Sequence, residues 1–305
     1  MKRLIPLLCA AAWLLAAACG EPARDKKVLV IGIDGVRPDV LAEANTPNID
    51  ALIADGTFAG EIETKAQTIS GAGWSSMLTG VWPDKHRVTN NDFSGNDYAS
   101  YPDFLTRLEL VNPEFSTFAV LDWPPLGTSD SGGPLISDTL DAKLNFDGEE
   151  GEGGYAAADA ASVAAAVRYL EHQGPDAAFV YIGNPDVVAH EFGLSPEYRS
   201  SIEQADAHVG ELMEALRRRP TYDQEDWLIL VSTDHGHKDE GGHGGDSPEE
   251  RTVFFIASGP SALKGTPEIL PNLVDVAVTA LAHLGVAADP AWQLDGRVIG
   301  LAGSN

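Results

Sequence analysis

Apolar positions along the chain fall into two alternating patterns. Lys27 to Ile33 (KVLVIGI) is a nearly continuous β-branched run that stops at Asp34, and similar runs recur at Phe115–Leu121, Ala178–Ile182, Trp227–Val231 and Val253–Ile256. Such runs predict strands covered on both faces, as in a parallel sheet. Helical periodicity lies between them. Ser195-Pro196-Glu197 supplies a cap followed by Pro in the first turn. Ile202, Ala205, Val209, Leu212 and Leu216 then recur at three- and four-residue steps, and Arg217 to Arg219 sit at the negative end of the dipole. Tyr155–Leu170 is an alanine-rich helix, and Asn272–Leu284 is another. The order predicts an α/β fold: one three-layer α/β/α sandwich with a mostly parallel central sheet. Residues 127–154, rich in Gly, Ser and Asp, break the pattern and predict a surface insertion.

The start of the chain reads differently. Lys2 and Arg3 precede an apolar run from Leu4 to Ala18, fifteen residues long, which is short of the roughly 20 needed to span a bilayer. It suits the apolar core of an export signal. The run ends in Ala16-Ala17-Ala18-Cys19-Gly20, which resembles a bacterial lipobox and implies lipidation of Cys19; an ordinary signal cleaved after Ala18 is the alternative. The expected organisation is a signal over 1–18, a short tether over 19–26 and one catalytic domain over 27–305. Either signal puts the mature protein outside the cytoplasm, in a bacterial periplasm or at the cell surface.

Charge narrows the partners. With 46 acidic and 20 basic side chains among 305 residues, the net charge is −26. A polyanion would be repelled, so nucleic-acid polymers are excluded and a membrane is approached only through the Cys19 anchor. The two cysteines, Cys9 and Cys19, both lie in or beside the signal, so no disulfide framework exists.

Acids and histidines gather at the predicted strand ends, where open α/β sheets bind ligands. Asp34 follows the first strand. Asp186 and His190, four residues apart, follow the third, and one helical turn aims both the same way. Asp234 and His235 follow the fourth, and His243 comes eight residues later within Gly241-Gly242-His243-Gly244-Gly245. A lone Asp at a strand end is usually a cap or turn residue. Three carboxylates and three imidazoles at one sheet edge instead predict two nitrogen/oxygen metal sites, the donor mix zinc favours.

These residues sit in longer motifs. VLVIGIDGVRPDVL, TISGAGWSSMLTGVWPDKHRVTNN, NPDVVAHEFG, STDHG and GGHGG resemble, in order, the alkaline phosphatase superfamily, and most closely its nucleotide pyrophosphatase/phosphodiesterase branch. The resemblance runs from Val28 to Ile299. It implies two Zn2+ ions, with other divalent metals as substitutes. One would be held by Asp34, Asp234, His235 and the nucleophile, the other by Asp186, His190 and His243. The nucleophile lies shortly before the Leu-Thr-Gly turn, which points to Ser70 over Thr68, Ser75 and Ser76. The phosphoryl-binding asparagine, twenty-one residues on, falls at Asn91. Backbone N–H groups of Ser70 and Gly71, with the Asn91 amide, would hold the non-bridging oxygens.

The implied function is hydrolysis of a small phosphodiester or nucleotide pyrophosphate through a phosphoseryl intermediate. The family's usual threonine nucleophile and the asparagine three residues later are replaced here by Ser70 and Gly73. Monoesterases of the superfamily meet a dianionic phosphate with extra cations, and between Leu121 and Gly154 the only cation is Lys143. A diester is therefore favoured over the alternative, a phosphate monoesterase. The alternative from another class is a surface lipoprotein that binds metal without turnover. Trp74 and Trp123 are candidate pocket walls, and His237 and Asp239 candidate partners of the metal ligands. Asp130-Ser131-Gly132-Gly133-Pro134 copies the serine segment of chymotrypsin-like proteases, but alternating strands and helices exclude that all-β fold. The acidic run Asp147–Glu152 lacks EF-hand spacing and reads as a solvated loop.

Overall fold

A computed structural model of the chain describes residues 24–302. The signal over 1–18, Cys19 and most of the 19–26 tether lie outside the described residues. The first half runs β1 (Asp25–Ile33), α1 (Pro38–Glu43), α2 (Pro47–Ala54), β2 (Gly56–Glu63), α3 (Ser70–Thr79), α4 (Pro83–His86), α5 (Phe104–Val111), β3 (Thr117–Leu121) and α6 (Pro124–Gly127). The second runs β4 (Ala142–Asn145), α7 (Gly154–His172), β5 (Ala177–Ile182), α8 (Asn184–Phe192), α9 (Pro196–Arg217), β6 (Glu225–Ser232), α10 (Pro248–Arg251), β7 (Thr252–Ser258) and α11 (Asp275–His283). Among the described residues no helix is long and apolar enough to cross a membrane.

One seven-stranded sheet, ordered β2-β7-β6-β1-β5-β3-β4, carries the fold. β6, β1, β5, β3 and β4 are parallel, and β7 runs antiparallel to both neighbours. The reversal has a local cause: between β6 and β7 the chain forms only the four-residue α10, so it stays at one edge of the sheet and must re-enter in the opposite direction. Alternation along the strands serves two cores. Val28, Val30, Phe179 and Leu230 face α3, α5 and α11, while Leu29, Ile31, Val180 and Val231 face α2, α7 and α9. This is the three-layer sandwich expected, and it explains why the five long runs were legible.

The 127–154 segment is more than a surface insertion. It contains the edge strand β4, whose residues Ala142 to Asn145 pair in parallel with Phe118 to Leu121, and its Leu135, Ile136 and Leu140 are buried in the core. A four-residue strand of half-exposed and exposed positions leaves no apolar run to detect. β2 was missed for a related reason: Gly, Ala and Glu interrupt it.

The sheet positions the chemistry. β6, β1 and β5 are adjacent, so the loops leaving their carboxyl ends lie within roughly 10 Å of one another. Gly32 pairs with Tyr181 on one side and Ser232 on the other. A Cβ at Gly32 would come within 2.4 Å of Cζ3 of Trp74, so the glycine lets that ring lie flat against the strand end.

Candidate active site

Ser70 is the first residue of α3, a helix buried along its whole length, and its Oγ lies 3.2 Å from Nε2 of His235. Gly73 permits this approach: a Cβ there would sit 2.7 Å from Cβ of Asp234. A longer side chain at that point has no room.

Asp34, Asp234 and His235 converge on one point. His235 Nε2 is 3.5 Å from Asp34 Oδ1 and 3.3 Å from Asp234 Oδ2. His235 Nδ1–H donates to the Gly236 carbonyl at 3.1 Å, which leaves Nε2 as the lone-pair side. Asp34 Oδ1 and Asp234 Oδ2 are buried without a hydrogen-bond donor. Two carboxylate oxygens and an imidazole lone pair facing each other out of water repel, unless a proton or a metal cation stands between them. That donor set fits a zinc ion. The other Asp34 oxygen is held by two donors, Trp74 Nε1 at 2.9 Å and the Tyr181 hydroxyl at 2.6 Å. Burial, then the charge of Asp186, pushes the Asp34 carboxyl up to about 7 despite these donors. Burial together with Asp34 and Asp186 raises Asp234 well above the usual carboxylate range. Burial, then His243, holds His235 well below its ordinary value.

A second cluster shares the same space. Asp186 and His190 are one turn apart on α8, with Oδ2 to Nε2 at 3.6 Å, and His243 Nε2 is 3.6 Å from Asp186 Oδ1. His243 Nδ1–H donates to the Thr68 carbonyl at 2.7 Å, so its Nε2 also presents a lone pair. His235 and His243 stack at 3.8 Å between ring centroids. Ligand atoms of Asp186, His235 and His243 lie within 4.8 Å of one another, as do those of Asp186, His190 and His237. Burial opposes the Asp186 charge, but the hydrogen bond from His237 and the surrounding imidazoles hold its carboxyl well below the usual range.

His237 touches one of the candidate metal ligands directly: its Nε2 lies 2.9 Å from Asp186 Oδ1. Asp239 does not. It is exposed and pairs with Arg37 at 2.7 Å, and Arg37 in turn donates to the His237 carbonyl. Asn91 lies beside Ser70 in a cavity of about 210 Å³, with Trp123 on the wall. One expectation about the backbone is corrected: the Gly71 N–H donates to Asn91 Oδ1 at 2.9 Å, so it orients the Asn91 amide instead of meeting a phosphoryl oxygen. Trp74 is also corrected. It is fully buried, absent from the cavity wall, and spends its N–H on Asp34; a tryptophan one turn after Ser70 faces the sheet because α3 is packed on all sides. Three residues of the cavity with polar side chains escaped the sequence analysis: Tyr181, Glu149 and Tyr155. A tyrosine inside an otherwise apolar strand was the available signal for the first; nothing local marked the others.

Comparison with known proteins places this architecture. A family model for type I phosphodiesterase/nucleotide pyrophosphatase matches residues 28–247. The human ectonucleotide pyrophosphatase/phosphodiesterase family member 7 is 24% identical over 253 residues, covering 75% of this chain and 53% of the human protein. An uncharacterized pyrophosphatase/phosphodiesterase of Schizosaccharomyces pombe is 27% identical over 226 residues, 68% of this chain and 44% of the yeast protein. The chain thus spans about half the length of the curated relatives it matches. Among solved structures, murine ectonucleotide pyrophosphatase/phosphodiesterase 5 superposes with a TM-score of 0.69 at 18% identity, covering 87% of this chain and 96% of the murine one. An inactive form of that murine protein in complex with AMP gives 0.68 at the same identity and coverage. These structures share the fold.

Proposed function

Because this chain belongs to the type I phosphodiesterase/nucleotide pyrophosphatase family, we propose that it is an exported two-metal phosphodiesterase that works through a phosphoseryl intermediate. The observation that carries the reading is the pair of buried, donor-less oxygens, Asp34 Oδ1 and Asp234 Oδ2, facing His235 Nε2 with Ser70 Oγ 3.2 Å from that nitrogen. Asp34, Asp234, His235 and Ser70 would hold one zinc ion, and Asp186, His190 and His243 the other. When bound, the divalent cations lower the proton affinity of the serine hydroxyl and offset charge on the leaving oxygen.

The residues divide the rest of the work. Ser70 Oγ bonds to phosphorus in line as the bond to the departing alcohol breaks, and water then hydrolyses the serine phosphate. Asn91, whose oxygen is occupied by the Gly71 N–H, keeps its amide nitrogen for a non-bridging phosphoryl oxygen. Trp74 and Tyr181 fix the Asp34 carboxylate from behind, and His237 does the same for Asp186. Among the described residues no Lys or Arg lines the cavity. A monoanionic diester needs less positive charge than a dianionic monoester, which supports the diester as substrate.

The deciding comparison is kcat/KM of the zinc-loaded protein for bis(p-nitrophenyl) phosphate against p-nitrophenyl phosphate. A ratio well above one is expected; a ratio well below one makes the protein a phosphatase. Export and lipidation at Cys19 belong to the same proposal and rest on the sequence of residues 1–20. Expressed as the full chain in a bacterial host, the protein should fractionate with membranes, and Cys19→Ser should abolish its labelling by a fatty-acid analogue. Labelling that persists in the variant would remove the anchor.

A further inference from the structure

The 127–154 segment returns to the catalytic cavity through one acidic side chain. β4 runs parallel to β3, so its carboxyl end delivers the acidic run to the same sheet edge as Asp34. That run is held, not loose. Phe146 N–H donates to the Leu121 carbonyl at 2.8 Å, and Gly148 N–H to the Asp122 carbonyl at 2.9 Å. The Asp147 side chain accepts from the N–H groups of Glu149 and Glu150, both at 2.9 Å. Tyr155 closes over this turn: a Cβ at Gly148 would come 2.5 Å from its Cδ1. Glu149 therefore stands on the cavity wall beside Tyr155, while Glu150 does not line the cavity.

Charge then decides what the cavity accepts. Among the described residues its wall carries the carboxylates of Asp34, Asp186 and Glu149 and no lysine or arginine. Asp34 and Asp186 belong to the clusters that would hold cations; Glu149 belongs to none of them. With the Ser70 hydroxyl still protonated, two divalent ions would supply four positive charges against the three aspartates Asp34, Asp186 and Asp234, leaving one in excess, which the exposed Glu149 carboxylate offsets. An incoming monoanion then leaves the site one charge negative, and a dianion leaves it two. The Tyr155 hydroxyl keeps its proton next to Glu149, since burial and then the Glu149 charge raise that phenol far above its ordinary value.

We propose that Glu149 selects substrate by charge: it admits phosphodiesters, whose reacting phosphoryl group bears one negative charge, and disfavours phosphate monoesters, whose phosphoryl group bears two. This rests on the phosphodiesterase reading and narrows it. It also turns the missing cation of the sequence comparison into a positive device, a fixed anion in place of the arginine a monoesterase would carry.

The test compares the zinc-loaded wild type, Glu149→Gln and Glu150→Gln at pH 8, where a phosphate monoester is a dianion. In Glu149→Gln, kcat/KM for p-nitrophenyl phosphate should rise about tenfold, the order expected on removing one like charge from the wall of a cavity near a protein surface. The value for bis(p-nitrophenyl) phosphate should change by no more than about threefold. Inorganic phosphate, followed by calorimetry, should bind about tenfold more tightly to Glu149→Gln than to wild type. Glu150→Gln, which removes the same charge one residue away, should leave all three values near those of wild type. An unchanged diester-to-monoester ratio in Glu149→Gln, or an equal shift in Glu150→Gln, overturns the proposal while the phosphodiesterase reading stands. A wild type that does not turn over the diester removes that reading, and phosphate binding alone then decides whether Glu149 repels anions.

Discussion

Ser70→Ala should lower kcat for bis(p-nitrophenyl) phosphate by at least about ten-thousandfold, since loss of a catalytic nucleophile typically costs between 10⁴ and 10⁶. Binding should persist. The six candidate metal ligands other than Ser70 are untouched, and the carboxylates of Asp34 and Asp234 still face His235. The fold should also persist, because Ser70 opens α3 without capping it and contributes one hydrogen bond of ordinary value, roughly 1 kcal/mol. Calorimetric titration with zinc, run beside the rate measurement, separates the outcomes. Lost turnover with retained zinc binding assigns the nucleophile. Retained turnover transfers the role to Thr68, Ser75 or Ser76, all of which are buried and hydrogen-bonded elsewhere: Thr68 and Ser75 to the carbonyls of Gly245 and Gly71, Ser76 to that of Ala72. Absence of turnover in both proteins would leave the metal-binding surface lipoprotein.

Removal of the metals should abolish activity and make zinc affinity steeply dependent on pH. In the metal-free protein the Asp34 carboxyl is raised from 3.8 to about 7, and Asp234 beside it is raised as well. A raised carboxyl is stabilised as the acid, so its contribution to folding is full below pH 3.8 and is lost as the pH climbs through 7. Zinc requires the carboxylate and must displace that proton. The Asp34–Asp234 pair should therefore release at least one proton on zinc binding at pH 6 and fewer at pH 8. His235 and His243 add less to this release than free imidazoles would, since burial holds both below their ordinary value. One displaced proton makes apparent affinity rise about tenfold per pH unit, hence about a hundredfold from pH 5 to pH 7. The unfolded state is common to both forms, so the gain in Tm on adding zinc should grow across the same window. Calorimetry in buffers of different ionisation enthalpy counts the protons directly. A proton count near zero at pH 6 would mean that the Asp34 and Asp234 carboxyls are already ionised together in the metal-free protein.

The two experiments probe different layers of one arrangement. The candidate nucleophile Ser70 stands at the N-terminal end of a helix buried along its whole length, whereas the candidate metal clusters depend on three adjacent strand ends and on the loop from 233 to 247. Trp74 links the layers. It belongs to the helix that presents Ser70, yet its N–H holds Asp34, the residue that ends the central strand. A shift of α3 would therefore disturb nucleophile and metal ligand together.

Much of this was legible in the sequence because the physics responsible is local. The five apolar runs mark strands buried on both faces, and a residue directly after such a run is delivered to the sheet edge whatever the rest of the chain does. Asp34 and Asp234 each follow a strand within two residues and are so delivered to the sheet edge, and His190 follows Asp186 by one helical turn, so backbone geometry alone makes that last pair neighbours. The cap at Ser195, whose Oγ accepts from the Tyr198 N–H at 3.2 Å, is local in the same sense. What the tertiary structure decided depends on segments far apart in the chain. Trp74 turned out to be a support for Asp34 forty residues away, because Gly32 leaves room for its ring. The Gly71 N–H went to Asn91, and β4 joined the sheet through pairing that its own residues do not announce. Glu149 reached the catalytic cavity for that reason alone. Its neighbours in sequence describe a solvated acidic loop; only the parallel pairing of β4 with β3 determines which of those acids meets the substrate.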